Sequence, residues 1–394
     1  MLFQELVSPI NKKYIRKLKI LYRLKKVVLL ALLCSMEASA FEDPLSFPAI
    51  QVPLASQSLL LDVALSKSRI VAVGERGHIV YSEDNGKTWQ QSDVPVRVML
   101  TAVTFPGEGA TGWAVGHQGV ILVSRDGGLS WSKQLDGHQA HQLMVDAFST
   151  AVDEKAAELE SAAEADSGRL QEELENFEFM LDDSISFVEE GPVRPFIDVW
   201  FRNALEGIAV GAFGLIVRTD DGGQSWYSPA ASLSNAEARH YNAIDASGNT
   251  VFIVGESGHI QRSVDGGHTW GTVESPYEGS YFDVVIQGSR VLLLGLRGNA
   301  FISDDNGDSW STVDTSTTAN LSKGVVLDDG RFVVSQYAPQ LLLSNETSTG
   351  FSALPRFVEG AISSFLIAPQ GSIITVGTRG VMAHGDQNLS FEVR

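Results

Sequence analysis

An all-β fold, a seven-bladed β-propeller with an acidic helical-hairpin insertion between blades 2 and 3, is what this sequence predicts, on three observations. The pattern G-x-x-G-x5-[ST]-x-D-x-G-x-[ST]-W occurs five times, from Gly74 to Trp89, Gly116 to Trp131, Gly211 to Trp226, Gly255 to Trp270 and Gly295 to Trp310. With degenerate units at Val334-Ser335-Gln336-Tyr337 and Val376-Gly377-Thr378-Arg379-Gly380, the phase markers Gly74, Gly116, Gly211, Gly255, Gly295, Ser335 and Gly377 stand 42, 95, 44, 40, 40 and 42 residues apart. A period of roughly 40 to 50 residues is that of a four-stranded propeller blade, so seven phases mean seven blades. The one long spacing holds an insertion of different composition. With 394 residues, 37 Gly against 13 Pro, one Cys and a net charge of -19, the chain is neither a collagen-like or low-complexity polymer nor a disulfide-built miniprotein nor an ordinary nucleic-acid binder.

The chain opens with Lys12, Lys13, Arg16, Lys17, Lys19, Arg23, Lys25 and Lys26, then the apolar run Val27 to Leu33, then Ala38-Ser39-Ala40. Basic region, short apolar region and small residues in that order read as a secretory signal over residues 1–40, cleaved after Ala40. The apolar run falls short of the roughly 20 residues a spanning helix needs. Leu33 before Cys34 argues against lipid attachment. The mature chain, 41–394, would then have 21 Lys+Arg against 46 Asp+Glu, a net of -25, and no cysteine. The periplasm is the expected compartment, or a thylakoid lumen in a photosynthetic cell.

Within a blade, Leu100 to Phe105 reads as the inner strand, Gly112 to Val115 as the second, Val120 to Val123 as the third and Trp131 to Leu135 as the outer one. G-x-x-G then forms the turn between strands two and three, where glycine supplies backbone angles that other residues reach at a cost. The S-x-D-x-G-x-[ST]-W segment forms the hairpin between strands three and four. Its carboxylates, Asp84, Asp126, Asp221, Asp265 and Asp305, are expected to accept the turn's own amides, while Trp89, Trp131, Trp226, Trp270 and Trp310 pack between blades. Gln51-Val52-Pro53 resembles Asp93-Val94-Pro95, so Pro48 to Val52 is expected to close the ring as a strand on the last blade, beside Ser390 to Val393.

The insertion occupies 137–192. From Asp146 to Glu190 it has fifteen carboxylates against Lys155 and Arg169. Ala156, Ala157, Leu159, Ala162 and Ala163 favour helix, and Leu170, Leu174, Phe177 and Leu181 form one apolar face at helical spacing. Gly168 after Ser167 is expected to separate two helices. Because the insertion joins an outer strand to the next inner strand, it should stand on the same face as the G-x-x-G turns, opposite the Asp hairpins. A solvated acidic spacer is the competing reading.

The pieces exemplified by Ser82-Asp84-Gly86-Thr88-Trp89 resemble the Asp-box, or BNR, repeats of sialidases and related propellers. The combined unit at Val254 to Trp270, and nearly so at Val210 to Trp226, is similar to the photosystem II stability and assembly factor family of seven-bladed propellers, over about Pro48 to the end. That resemblance implies a non-enzymatic scaffold or chaperone for membrane-protein assembly, working on a membrane or export complex in the envelope.

No catalytic constellation emerges from the residues. A sialidase-like glycosidase or a carbohydrate-binding propeller is the alternative, but the F/Y-R-I-P motif is missing, with only Val193-Arg194-Pro195 and Pro355-Arg356-Phe357 near it. Asp304-Asp305-Asn306-Gly307-Asp308 lacks the twelfth-position acid and the flanking helices of an EF-hand-type calcium loop. His138 and His141 could supply half a zinc site without further ligands, and His78 and His259 read as polar strand-end residues, so neither a metal nor a cofactor is expected. Residues inside the repeated turns are free of the scaffold's demands, and recognition is expected there: Glu75, Arg76, His117, Gln118, Phe213, Glu256, Arg297, Tyr337 and Arg379. The expected partner is a protein, not nucleic acid, with the chain peripheral to a membrane at most and monomeric alone.

Overall fold

The second strand of each repeat, such as Arg69–Gly74, Thr250–Gly255 or Arg290–Gly295, is an aliphatic run with no polar face, and Val71, Ala72, Val73, Ile253, Val254, Leu292 and Leu293 are all fully buried. A strand that is apolar on both sides must be covered on both sides, and here the neighbouring blades cover it. The computed structural model describes residues 43–107, 109–355, 359–368 and 371–384. The expected leader and Ser390 to Val393 lie outside them.

Seven antiparallel sheets follow one another along the chain. Their inner strands are Leu60–Ser66, Leu100–Thr104, Phe196–Phe201, Tyr241–Ser247, Tyr281–Gln287, Leu321–Val326 and Ile362–Ile367, each abutting the next, with the last returning to the first. This is a seven-bladed β-propeller. Blades 1, 2, 4, 5 and 6 have four strands, and the outer strand of blade 3 is reduced to the bridge Arg218↔Tyr227. Every inner strand has a bulge at its start, between Leu60 and Asp62 in blade 1 and at the matching place in the other six.

Pro48 to Val52 is not a strand on the last blade. It lies along the outer edge of blade 1, where Ala49 N donates to Val94 O at 3.0 Å, Gln91 Nε2 to Ile50 O at 2.9 Å and Val52 N to Gln91 Oε1 at 2.9 Å. Pro48 and Pro53 have no amide hydrogen, so a regular ladder is unavailable there. The next residues reach blade 7 instead: Ala55 packs in one cluster with Ile374, Val376 and Val381.

The insertion is a helical hairpin of α1 (Gly137–Ser161) and α2 (Glu164–Glu190). The chain turns at Ala162–Ala163, both extended, and not at Gly168, which sits inside α2. Glycine inside a helix costs only about 1 kcal/mol, and the observed break puts Glu164 and Asp166 in the first turn of α2, where the helix dipole favours acid. It also lets Lys155 of α1 reach Glu173 of α2 at 2.9 Å. Ala140, Met144 and Phe148 of α1 are buried in the same core as Ala230, Leu233 and Tyr241 of the propeller. Burying Met144 and Phe148 stabilises this seat by roughly 1.5–3 kcal/mol each. No helix of the described residues is long and apolar enough to cross a membrane.

Candidate partner-binding face

Each of the first five turns is a single tight helical turn between strands two and three, and its two glycines are needed for different reasons. The first has extended backbone: Gly74 has φ -176°, but a Cβ on it would collide with the Leu59 carbonyl at the head of the inner strand. The second, Gly77, has φ +74°, and a Cβ on it would collide with the Val96 carbonyl of the segment leading to the next blade. The residue between them is also left-handed, with φ 56° at Arg76, 57° at Gln118, 56° at Phe213, 50° at Ser257 and 58° at Arg297. A side chain held in this uncommon region by fixed neighbours projects from the ring, and Arg76, Phe213, Ser257 and Arg297 are exposed.

Glu75 and Glu256 are drawn into the scaffold instead. Leu59 N donates to Glu75 Oε1 at 3.3 Å and His240 N to Glu256 Oε2 at 3.0 Å, the same bond in two blades. In blade 6 the register moves by one: Leu321 pairs with Gln336, so Gln336 and not Ser335 holds the first-glycine position. Tyr337 therefore matches Glu75, its N donating to Asn320 O at 2.9 Å. Ala338 starts the next strand at once, and Tyr337 is left 53% exposed. His117 and Arg379 are exposed on their turns, Arg379 with Glu359 at 3.4 Å, and Gln118 is half-buried.

The hairpin stands on this face. Gly137, the first residue of α1, meets Gly119 of the blade 2 turn closely. On its far side Phe213 of the blade 3 turn becomes a docking residue: the Arg194 guanidinium lies 3.1 Å from the Phe187 ring centre and 4.4 Å from that of Phe213. Arg194 also pairs with Glu190 at 2.8 Å and is only 6% exposed. Desolvation holds its pKa below the ordinary arginine value despite the nearby carboxylates. His141 is turned away from His138 into the core, Nδ1 3.1 Å from Phe187 O, and burial with Arg194 nearby lowers its pKa to about 4. Among the described residues no group of His, Cys, Asp and Glu is placed to hold a metal ion.

The ring centre opens on the same face as a cavity of about 240 Å³ lined by all seven inner strands. Two residues past the start of those strands stand Asp62, Asp198 and Asp283, with Lys323 at the matching place in blade 6 and Ser364 in blade 7. The carboxylates stitch blade to blade. Val103 N donates to Asp62 at 2.9 Å, Ile244 N to Asp198 at 3.0 Å and Gly324 N to Asp283 at 2.7 Å, while Ser364 Oγ donates to Asp62 at 2.7 Å and closes the ring. Asp245, two residues deeper, accepts from Ile286 N at 2.9 Å. Burial pushes the Asp283 carboxyl up to about 6 and that of Asp245 to about 7. Lys323 sits 3.3 Å from Asp283, and although desolvation works the other way, the carboxylates around it raise its pKa. Aligning the inner strands by their bulges would have exposed this layer in the sequence.

At the opposite end the five Asp hairpins repeat one set of bonds. In the fourth, Ser263 Oγ donates to Asp265 Oδ1 at 2.7 Å and accepts Gly267 N at 2.8 Å, while Thr269 Oγ1 donates to Asp265 Oδ2 at 2.6 Å. The hydroxyl bonds from Thr88, Ser225 and Ser309, joined by turn amides, hold Asp84, Asp221 and Asp305 down at about 2. Trp89 Nε1 donates back to Gly86 O at 3.0 Å, and Trp89 packs beside Ile374 of the neighbouring blade.

A ring with one regular rim and one variable, hairpin-bearing rim is a β-propeller of Asp-box repeats whose two faces differ in chemistry. Residues 42–165 and 187–382 match the family model described as photosynthesis system II assembly factor YCF48, and the chain belongs to that family. The stretch between the two matches, 166–186, lies in α2. A photosystem II assembly lipoprotein Ycf48 from Synechococcus sp. (strain CC9902) is 35% identical over 74 residues, which is 19% of this chain and 22% of that relative. A solved structure of YCF48 bound to D1 peptide superimposes with a TM-score of 0.57 at 15% identity, covering 88% of this chain and 96% of that one. YCF48 from Cyanidioschyzon merolae gives 0.56 at 16% identity over 86% and 99% of the two chains. The WD40 propeller domain of Doa1 gives 0.57 at 10% identity over 88% and 99%, so at this level of identity the likeness is one of fold.

Proposed function

We propose that this chain is a non-enzymatic, exported scaffold that holds a protein segment of a membrane or export complex on its turn-bearing face. The observation that carries the reading is the acidic hairpin anchored on that face by Arg194 between Phe187 and Phe213, with its carboxylates left in solvent. Of the fifteen carboxylates from Asp146 to Glu190, only Glu158, Glu173 and Glu190 form ion pairs among the described residues. Such a surface is costly to maintain without an oppositely charged occupant, because like charges repel across the helix surface.

Family membership supports the non-enzymatic reading, and a related propeller with a D1 peptide bound supports a peptide segment as the thing held. Arg76, His117, Arg297, Tyr337 and Arg379 are the turn residues exposed for contact, with Gln118 beside them. Glu75 and Glu256 serve mainly to hold the inner strands, and Phe213 to hold the hairpin. Export by a leader cleaved after Ala40 would place this work in the periplasm, or in a lumen.

Crosslinking and pull-down from the native envelope, with the mature protein and a version lacking Asp146 to Glu190, tests the reading. The full protein should recover a membrane or export complex that the shortened one loses. The same proteins from both, or none from either, would overturn the role given to the hairpin. Turnover of aryl glycosides by the mature protein would overturn the non-enzymatic reading.

A further inference from the structure

The Asp-box hairpins of blades 1 and 5 contain the two Asn-Gly pairs of the chain, Asn85-Gly86 and Asn306-Gly307. Both asparagines are left-handed, with φ 60° and 58°, and the glycines follow at 83° and 84°. The hairpin does not need an asparagine there. Asp84 and Asp305 accept its hydroxyl and amide bonds, and blades 2, 3 and 4 have Gly127, Gly222 and Gly266 in the same place. Asparagine is one of the few residues that can stand in for glycine in this conformation.

It brings a reactivity that glycine lacks, for asparagine is a labile residue and a following glycine has no Cβ to shield its amide. The glycine nitrogen loses its proton to water and bonds to the asparagine Cγ, and the side-chain nitrogen leaves as ammonia. One water molecule then opens the cyclic imide to aspartate or isoaspartate, so that overall one water is consumed and one ammonium released. The attack requires a free glycine nitrogen. Here Gly86 N donates to Ser82 Oγ at 2.8 Å and Gly307 N to Ser303 Oγ at 2.7 Å, and both glycines are buried. In blade 5 the other end of the same peptide unit is also held: Arg262 Nη1 of blade 4 donates to Asn306 O at 2.6 Å and to Asp308 at 2.7 Å.

We propose that Asn306-Gly307, and Asn85-Gly86 with it, are self-modification sites that the Asp-box keeps closed, each asparagine deamidating only when its own hairpin opens. The change runs one way. Isoaspartate adds one carbon to the main chain and carries the glycine nitrogen away from its serine hydroxyl, and at blade 5 either product puts a further negative charge beside Asp304, Asp305 and Asp308. The hairpins of blades 2, 3 and 4, with glycine in that place, are spared deamidation. None of this depends on which partner the propeller holds.

The test is peptide mapping by mass spectrometry on the mature protein, incubated at mildly alkaline pH and digested in acid, with the chain unfolded in guanidinium chloride as the unprotected reference. Both asparagines should react at least about tenfold more slowly in the folded protein, since attack must wait for local opening. Ser303→Ala removes the acceptor of a buried amide and should speed Asn306 about tenfold. Asn85 in the same molecules should keep its slow rate. Ser82→Ala should reverse the pattern. Ser303→Thr should stay protected, because Thr219 Oγ1 holds Gly223 N at 2.8 Å in blade 3.

Arg262→Ala, at a half-buried side chain, is the milder variant and should speed Asn306 about threefold while leaving Asn85 unchanged. Equal rates in the folded and unfolded protein would show that the hairpin gives no protection, and no reaction in the unfolded chain would show that these are not sites at all. Either result overturns the proposal. So does a Ser303→Ala protein in which Asn306 is no faster. Acceleration of Asn85 as large as that of Asn306, in both Ser303→Ala and Arg262→Ala, would make unfolding of the whole ring the gate and overturn the local lock.

Discussion

The two ends of this ring are built on opposite rules. At the Asp-box end five hairpins repeat the same hydroxyl, carboxylate and amide bonds to within 0.2 Å, as in Thr219 Oγ1 to Asp221 Oδ1 at 2.9 Å and Ser263 Oγ to Asp265 Oδ1 at 2.7 Å. At the turn end the backbone repeats while the side chains vary: Arg76, Gln118, Phe213, Ser257 and Arg297 share one left-handed conformation but not one chemistry. Where side chains make the fold, their identity is constrained; where glycine and backbone make it, the side chains are free for contact. The hairpin, Phe213 and the exposed arginines all gather at the second end.

The sharpest way to break this contrast is to add a single methyl at the turn end. Gly258→Ala puts a Cβ at φ +72° against the Tyr277 carbonyl, and should lower unfolding free energy by about 3 kcal/mol in urea titration. A loss under about 1 kcal/mol would mean that the turn glycines are not what fixes the backbone there.

At the other end Ser263→Ala leaves the buried Gly267 amide without its acceptor. It should cost about 2 kcal/mol while leaving partner binding unchanged. Reduced binding in that variant would show that the rims are not functionally separate.

A third test lies in pH. Asp245 and Asp283 have pKa values raised by burial to about 7 and about 6, so the folded state binds protons that the unfolded chain has already lost above its ordinary value near 4. Their contribution is fully present below that unfolded value and is lost as pH rises through 6 and 7. Asp84, Asp221 and Asp305, held near 2, act the other way: their contribution is present above about 4 and is lost as pH falls toward 2. Thermal midpoints should peak between about pH 4 and 5 and decline toward 7.5. A midpoint that climbs steadily from pH 5 to 7.5 would show that the channel carboxylates are ionised without penalty.

Much of the architecture was legible because its determinants are local. The spacing of Gly74 from Trp89 and its four repeats imposes turn, strand and hairpin within a stretch short enough to read directly. Blade 6 was harder: without the paired turn glycines or the hairpin tryptophan, Gln336 and Tyr337 could be placed only once Leu321 was seen to pair with Gln336. Helix formation in the insertion followed from alanine and leucine spacing. Its turn did not, because Gly168 is tolerated in α2 and the break at Ala162–Ala163 is governed by contacts between the two helices, Lys155 with Glu173 among them.

The candidate site divides the same way. That the repeated turns carry variable residues is a property of the alignment of repeats, visible in one dimension. That Glu75 and Glu256 bond the head of their own blade's inner strand, 16 positions back, and that Phe213 clasps Arg194 needs the folded blade; that Asp62, Asp198, Asp283 and Lys323 converge at the ring centre depends on residues about 40 or more positions apart meeting across blades. Local geometry is encoded residue by residue through backbone preference and short-range hydrogen bonds. The charged centre exists only after the ring closes, because closure alone brings its walls within contact distance and strips the water from between them.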